Sequence, residues 1–265
     1  MPSLVLKIIG STIFLLSLST SASWASTSTE SHQEYSRNGK LSDLPDLRQY
    51  PSGTQRKKAF LNAVVPIIDK QNSQIRQERE WLLKKRNTKN WSQQDLAKVR
   101  QICDRYKVNC ATNPEKINWN SLLKRVDIIP THLVATQAAT ESGWGTSKLA
   151  RTNKNLFGLR CGSKSCNSKN GGVQGYSAYS SINDSVTAYM INMNTHSAYD
   201  TLRESRASLR SRGDTVTADH LINKLGNYSR LGSTYSDYLR KMLDHNQGLI
   251  RQAESSIETV SSNDT

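Results

Sequence analysis

The chain has 265 residues, enough to bury one good hydrophobic core with an extension. It carries 36 lysine and arginine residues against 22 aspartate and glutamate residues, a formal charge of +14 at pH 7. That charge favours a polyanionic partner, although a solvated basic surface without a specific partner would give the same composition. Nucleic acid is excluded as the expected partner, because the basic residues are spread along predicted helices and no nucleic-acid motif occurs.

The first 25 residues have the pattern of a secretory signal peptide. Lys7 precedes an apolar run over residues 8–18, and Ser23 and Ala25 are small residues at the positions that cleavage requires. The run is shorter than the roughly 20 apolar residues of a membrane-spanning helix, and no later segment is apolar enough to span a bilayer. We therefore expect an exported protein, periplasmic or in the cell envelope. The alternative is that the segment stays uncleaved as an anchor.

Changes in composition divide residues 26–126 into two segments. Residues 26–50 are rich in serine, threonine, asparagine and charge, which predicts a flexible leader. Residues 51–126 have helical periodicity and predict an N-terminal lobe that packs against the rest, with Pro66 either kinking or restarting its first helix. Ser92 and Asp95 have the spacing of a capping box and predict that a second helix starts there.

The four cysteines form two local pairs in the sequence. An even number of cysteines after a signal peptide favours disulfides, and we predict the local bridges Cys103–Cys110 and Cys161–Cys166 among three possible pairings. Zinc is the competing interpretation, but neither pair has the usual two-residue gap and no histidine shows a matching spacing. We expect no metal and no other cofactor.

Glu141 is a candidate for chemistry, although a glutamate near the end of a helix is more commonly a solvated surface residue. Pro130 suits the start of a helix whose apolar spacing places Glu141 on the face toward the domain, and Gly143 ends that helix. A carboxyl group desolvated beside an aromatic ring can keep its proton near neutral pH, as a general acid must. Trp144 is either a platform for a sugar ring or a wedge that fixes the end of the helix.

The segments that surround Glu141 extend over about half the chain in a specific order. They are Arg125-Val126-Asp127-Ile128-Ile129-Pro130, Gln137 to Ser147, Asn155-Leu156-Phe157-Gly158, Asp184-Ser185-Val186, Asn192 to Tyr199 and Tyr228-Ser229-Arg230-Leu231-Gly232. Together they resemble the glucosaminidase domain of bacterial cell-wall hydrolases, glycoside hydrolase family 73. The resemblance implies a lysozyme-like domain over residues 127–250. It also implies cleavage of the β-1,4 bond after N-acetylglucosamine in peptidoglycan, with Glu141 as the acid.

The expected fold is mostly α (α+β), with a small β-hairpin lobe or flap between Gly158 and Tyr179, where helical periodicity stops. In family members such a lobe faces the helix of the glutamate across a cleft. Tyr176 and Tyr179 could therefore contact the glycan, as could Phe157 unless it belongs to the core. Helices are predicted over residues 181–196, 198–209 and 233–246, followed by a disordered tail over residues 251–265.

A second catalytic carboxylate is missing where relatives carry one, because residues 142–183 contain no aspartate or glutamate. Asp184 is the nearest candidate, but it stands three residues after Ser181, the spacing of a helix capping box. Tyr228 is the predicted hydroxyl near the reaction centre, since its loop resembles the tyrosine-containing loop of related hydrolases. The alternative is a tyrosine packed in the core, which is also what we expect of Tyr235.

Two reaction routes and one non-enzymatic role stay open. Glu141 could act with the 2-acetamido group of the substrate as internal nucleophile, or alone as acid and then base, giving the anhydro product of a lytic transglycosylase. A non-catalytic wall-binding or scaffold protein would also explain the missing carboxylate. In each case the expected partner is the glycan strand of peptidoglycan, bound by a monomer.

Overall fold

The computed structural model describes residues 43–110, 114–161, 172–225 and 233–262. The described residues form nine α-helices, with short 3-10 turns at Leu47–Gln49, Pro114–Lys116 and Ser197–Tyr199. The helices are α1 (Thr54–Arg86), α2 (Gln93–Arg105), α3 (Trp119–Arg125), α4 (Thr131–Ser142), α5 (Lys148–Asn153), α6 (Ile182–Thr195), α7 (Asp200–Ser211), α8 (Ala218–Ile222) and α9 (Ser233–Ser262). The prediction of a mostly α fold is confirmed, and the architecture is consistent with a lysozyme-like domain.

Helix α1 is one continuous helix, and Pro66 lies inside it without restarting it. Over residues 59–68 the helix is buried on most sides, and farther along only isolated positions are buried. The buried apolar residues are Ala59, Phe60, Leu61, Ala63, Val64, Val65, Ile67, Ile68, Ile75 and Leu82. The helix packs against α4, α6 and α9, so the N-terminal lobe contributes directly to the core that holds α4.

Helix α4 carries Glu141 and lies among α1, α8 and α9. Small side chains at Ala135, Ala138 and Ala139 are buried, which allows neighbouring helices to approach it closely. Pro130 is the N-cap residue, and Gly143 ends the helix in the left-handed conformation with φ 57°. Glycine adopts that conformation without the steric cost that a Cβ imposes.

A buried ionic network fixes the segment that leads into α4. Asp127 is 2% exposed and faces Arg210 at 3.0 Å, Arg79 at 3.7 Å and Arg206 at 3.8 Å. Burial raises the pKa of Asp127, but the three guanidinium groups outweigh burial and hold that pKa below its usual value. Arg206 also donates to the backbone carbonyls of Lys124, Asp127 and Ile128, so α7 is linked to the segment that leads into α4.

The predicted capping box and the first predicted disulfide are both confirmed. Ser92 accepts a hydrogen bond from the backbone of Asp95, whose carboxylate accepts one from the backbone of Ser92. Cys103 is bonded to Cys110, seven residues further on, and closes the loop after α2. Cys161 is also disulfide-bonded, whereas its predicted partner Cys166 lies outside the described residues.

The predicted β-hairpin lobe is not shown. Among the described residues the region contains one antiparallel bridge, between Arg160 and Tyr176, flanked by a hydrogen bond from Ser177 N to Leu159 O of 2.9 Å. Residues 162–171, which the prediction places at the tip of this lobe, lie outside the described part.

Two boundaries differ from the prediction. Leu47 is 1% exposed in a 3-10 turn, so the flexible leader predicted for residues 26–50 does not reach residue 50. Helix α9 continues to Ser262, past the predicted end at residue 246 and through most of the predicted tail over residues 251–265. Buried Ile250 and Ala253 continue the apolar spacing of α9, which explains the longer helix. No helix in the described ranges is long and apolar enough to cross a membrane.

Candidate active site

Glu141 occupies the last turn of α4, half-buried, next to the glycine that ends the helix. Burial raises the pKa of its carboxyl group, and a hydrogen bond from Tyr235 partly offsets that effect. Glu141 therefore keeps its proton to a higher pH than an ordinary exposed glutamate does.

One oxygen of Glu141 is held by a chain of hydrogen bonds from three helices. The hydroxyl of Tyr235, on α9, donates to Glu141 Oε1 at 2.7 Å and accepts from the side-chain amide of Gln137 at 3.3 Å. The Gln137 amide oxygen in turn accepts from the hydroxyl of Tyr189, on α6. Since Gln137 lies one turn before Glu141, the network fixes both the orientation of the carboxyl group and the packing around α4.

The second oxygen of Glu141 faces the Asn155-Leu156-Phe157-Gly158 segment. A Cβ placed on Gly158 would lie 3.9 Å from Glu141 Oε2, so the backbone of this glycine approaches the carboxyl group closely. Asn155 holds the turn, because its side-chain oxygen accepts from the backbone of Phe157 and Leu159 at 3.2 and 3.1 Å. The segment thus leaves Oε2 as the oxygen without a protein donor among the described residues.

The loop after Glu141 packs against the N-terminal helix. Trp144 has φ 57° and Gly145 has φ 76°, so both follow Gly143 in the left-handed region. The Trp144 ring meets Phe60 of α1 edge-on at 5.7 Å, and Lys57 Nζ lies 5.1 Å above the same ring. These contacts agree with the wedge interpretation, while contact of Trp144 with a sugar stays a prediction.

The other predicted substrate-binding aromatics have different surroundings. Phe157 is 2% exposed and stacks on Tyr189 with ring centroids 3.9 Å apart, so it supports the hydrogen-bonded network from below instead of presenting a face to solvent. Tyr176 is half-buried with Arg160 over its ring at 4.8 Å. Tyr179 is also half-buried, and its backbone donates to Asn153 O at 2.9 Å.

The remaining predicted catalytic residues are not brought to Glu141 by any described contact. Asp184 is exposed in the first turn of α6, where its backbone donates to Ser181 Oγ at 3.1 Å. Ser181 thus caps the helix as predicted, but no hydrogen bond from the Ser181 backbone to the exposed Asp184 carboxylate, the second half of a capping box, occurs among the described contacts. Tyr228 lies outside the described residues.

Sequence reasoning missed Tyr235, Gln137 and Tyr189 as a group. Tyr235 was expected in the core, and it is 7% exposed, but its hydroxyl contacts a residue 94 positions earlier. Tyr199 completes the group: burial raises its pKa to about 12, with a smaller contribution from the Glu141 charge. The available signal was the polar character of Gln137 on an otherwise apolar helical face, since a buried amide requires hydrogen-bonding partners.

No group of three histidine, cysteine, aspartate or glutamate side chains within the described ranges is arranged to hold a metal ion. At Glu141 the described residues place one half-buried carboxyl group, with one oxygen held by a tyrosine hydroxyl and the other facing a glycine turn. A carboxyl group that keeps its proton near neutral pH has the property that a general acid requires.

Comparison with known proteins assigns this site to a family. Residues 116–248 match the glucosaminidase family, described as mannosyl-glycoprotein endo-beta-N-acetylglucosaminidase, and the chain belongs to it. The matched region contains α4, the Glu141 network and the first half of α9. The predicted membership is confirmed.

A relative extends the similarity beyond that region. The chain is 55% identical over 221 residues to Protein bax of Escherichia coli strain K12, which covers 83% of this chain and 81% of the relative. No solved structure matches the chain significantly.

Proposed function

We propose that this chain is an exported peptidoglycan hydrolase that cleaves the β-1,4 bond after N-acetylglucosamine, with Glu141 as general acid. Family membership supports a glycosidase-like role, and the signal-like first 25 residues support export to the compartment that contains the substrate. The observation that carries the proposal is the half-buried Glu141 carboxyl group, whose raised pKa suits proton donation to a leaving oxygen.

The geometry suggests which oxygen carries the proton. Because the hydroxyl of Tyr235 donates to Oε1, that oxygen acts as an acceptor, and the proton of the neutral acid belongs on Oε2. Oε2 faces the Gly158 turn, where the absence of a side chain leaves room for a glycosidic oxygen. When Oε2 loses its proton in the reaction, the hydrogen bond from Tyr235 stabilises the resulting carboxylate.

The second half of the reaction does not require a second carboxylate from the described residues. We infer that the 2-acetamido oxygen of the substrate attacks the anomeric carbon while the glycosidic bond breaks and the leaving oxygen takes the proton of Glu141. Water then attacks the anomeric carbon, gives a proton to the Glu141 carboxylate and opens the cyclic intermediate, which restores the acid. The surroundings support this route, because tyrosine hydroxyls and an amide, not a carboxylate, surround Glu141 among the described residues.

The lytic transglycosylase route uses the same lone carboxyl group. Glu141 would then take back a proton from a hydroxyl of the sugar itself, which closes an anhydro ring in place of water attack. A non-catalytic wall-binding protein is the rival from another class, and it would retain affinity for the wall without releasing fragments.

One experiment separates these outcomes. The mature protein is incubated with purified peptidoglycan, and the released fragments are analysed by mass spectrometry before and after borohydride reduction. Reducible ends on N-acetylglucosamine support the proposal, whereas anhydro-muramyl ends assign the chain to the transglycosylases. Wall binding without fragments, with wall from several sources, contradicts an enzymatic role. Glu141→Gln protein is the control for contaminating activity.

A further inference from the structure

A groove lies between α1, α2 and α6. It encloses about 640 Å³ and is lined by thirteen residues, none of which belongs to the Glu141 network. Its volume falls within the range of about 300 to 1,000 Å³ that is usual for ligand sites. On α6 the lining residues Asn183 and Thr187 are one turn apart. At 3.6 residues per turn they project from the side of that helix away from Tyr189.

The groove is rich in groups that hydrogen-bond to peptides. Gln71, Gln74 and Gln77 of α1 line one side, and Asn183 and Thr187 of α6 line the other. A hydrogen bond of 3.1 Å from the Gln71 amide to Asn183 Oδ1 joins the two sides. Carboxamides offer both a donor and an acceptor, which is the pairing that a peptide backbone requires.

The charge of the groove is positive. Three lining side chains are basic, and the lining carboxylate, Glu78, is already paired with Arg105. Lys70 and Lys98 form no ion pair within the part of the chain that the structure describes. Lys98 Nζ lies 4.5 Å above the Trp81 ring, a contact that limits the motion of the lysine side chain.

We propose that this groove binds an acidic peptide, namely the carboxylate-bearing stem peptide of peptidoglycan, separately from the glycan at Glu141. The amide side chains pair with the peptide backbone, and Lys70 and Lys98 pair with its carboxylates. The identity of the peptide rests on the proposed function, because the stem peptides are attached to the glycan strand that Glu141 is proposed to cleave. The groove thereby selects strands that still carry their peptides.

The test measures binding without cleavage. A fluorescently labelled stem tetrapeptide, which contains no glycosidic bond, is titrated with the mature protein at low ionic strength, and anisotropy reports binding. Lys70→Gln/Lys98→Gln protein is expected to bind about tenfold more weakly, a loss that corresponds to about 1.4 kcal/mol. Lys58→Gln/Lys241→Gln protein carries the same change in net charge at two exposed lysines outside the groove and is expected to bind like the wild type.

The same peptide with its carboxylates amidated is the matched probe, and it should bind as weakly as the double variant binds the acidic peptide. Undetectable binding of the acidic peptide, equal binding of the two probes, or equal losses in the two double variants would each overturn the proposal. Competition by an unrelated polyanion such as DNA at the same affinity would overturn it as well. A chain that releases no wall fragments but binds the peptide would disprove the proposed cleavage and leave the groove assignment intact.

Discussion

Glu141 and Tyr235 form the contact on which the proposed chemistry depends, and its effect on the pKa of Glu141 can be measured. The hydroxyl of Tyr235 lowers the pKa of Glu141, while burial raises it more strongly. The two side chains therefore set the pH range in which the acid stays protonated, and two substitutions separate their effects.

Replacing Glu141 with glutamine should preserve the fold and lower turnover on peptidoglycan at least about a hundredfold, the lower end for loss of general-acid catalysis. The same substitution should increase the stability of the folded protein at neutral pH. Because the pKa of Glu141 is raised in the folded protein, the contribution of this carboxyl group to stability is fully present below the unfolded pKa, is lost as the pH rises to the folded pKa, and changes no further above it. Glu141→Gln protein should therefore have a higher Tm than the wild type at pH 7, and a smaller difference at pH 4. Unchanged turnover would remove Glu141 from the mechanism.

Replacing Tyr235 with phenylalanine removes the hydrogen bond that lowers the pKa of Glu141, so that pKa should rise further. A general acid works in its protonated form, and the alkaline limb of the kcat/KM profile should therefore move to higher pH. Tyr238→Phe is the matched control, since Tyr238 lies on the same helix and is 50% exposed. A profile that does not move, or that moves equally in both variants, would show that Tyr235 does not tune the acid.

The sequence, read together with the family resemblance, singled out Glu141 as a candidate but did not predict the residue that hydrogen-bonds to it, for a physical reason. The helix of Glu141 follows from local spacing and from Gly143, which are features of neighbouring residues. Tyr235 was expected only to be buried, and it is buried. Its hydroxyl meets Glu141 because α9 crosses α4, and no local periodicity carries information about such a crossing.

At the scale of elements, loop packing and ion pairs fix the position of α4 relative to the neighbouring helices. The loop after Glu141 packs closely against Leu47 and Phe60. A Cβ on Gly145 would lie 2.5 Å from Leu47 Cδ1 and 3.2 Å from a ring carbon of Phe60.

Gly145→Ala should destabilise the protein by about 1 to 3 kcal/mol more than Gly213→Ala, the range typical of overpacking. The comparison isolates the steric contribution, because both glycines have φ 76° and nothing lies within 4 Å of a Cβ at Gly213. Urea unfolding of the two variants measures the difference. Equal losses would mean that the close approach to Leu47 and Phe60 is relieved at no cost.

Asp127→Asn should cost about 3 to 5 kcal/mol, as expected when one partner of a buried ionic network is neutralised. Asp219→Asn is the control, since its ion pair with Arg240 is exposed and should contribute less than about 1 kcal/mol. The pKa of Asp127 is lowered in the folded state, so its contribution is present above the unfolded pKa and is lost as the pH falls through the folded pKa. Chemical unfolding at pH 7 and at pH 3 should therefore show a smaller effect of Asp127→Asn at pH 3.

The elements themselves were predicted where their signals are local. The capping box of Ser92 and Asp95 located the start of α2, and apolar spacing located α6. The prediction was wrong for the end of the leader, where Leu47 is buried by contacts with residues far along the chain. The mean composition of residues 26–50 does not reveal this burial, because one leucine hardly changes the average of a segment rich in polar residues.

For the molecule as a whole, the formal charge of +14 should govern how the protein reaches its substrate. We expect wall binding to weaken as salt rises from about 0.01 M to about 1 M, since the screening length falls from about 30 Å to about 3 Å. Cosedimentation of Glu141→Gln protein with insoluble peptidoglycan measures binding without cleavage. Retention that is independent of salt would show that the basic surface does not contribute.

The packing of α4 between α1 and α9 also determines when the proposed activity can arise. Helices α1 and α9, the first and last of the described helices, both pack against α4. The hydroxyl that orients Glu141 belongs to Tyr235 on α9. A nascent chain that has passed residue 141 but not residue 235 carries the acid without its partner. The proposed activity would therefore arise late in biosynthesis, and a product truncated before α9 would leave the alanine face of α4 uncovered and the Glu141 carboxyl group without its hydrogen bond from Tyr235.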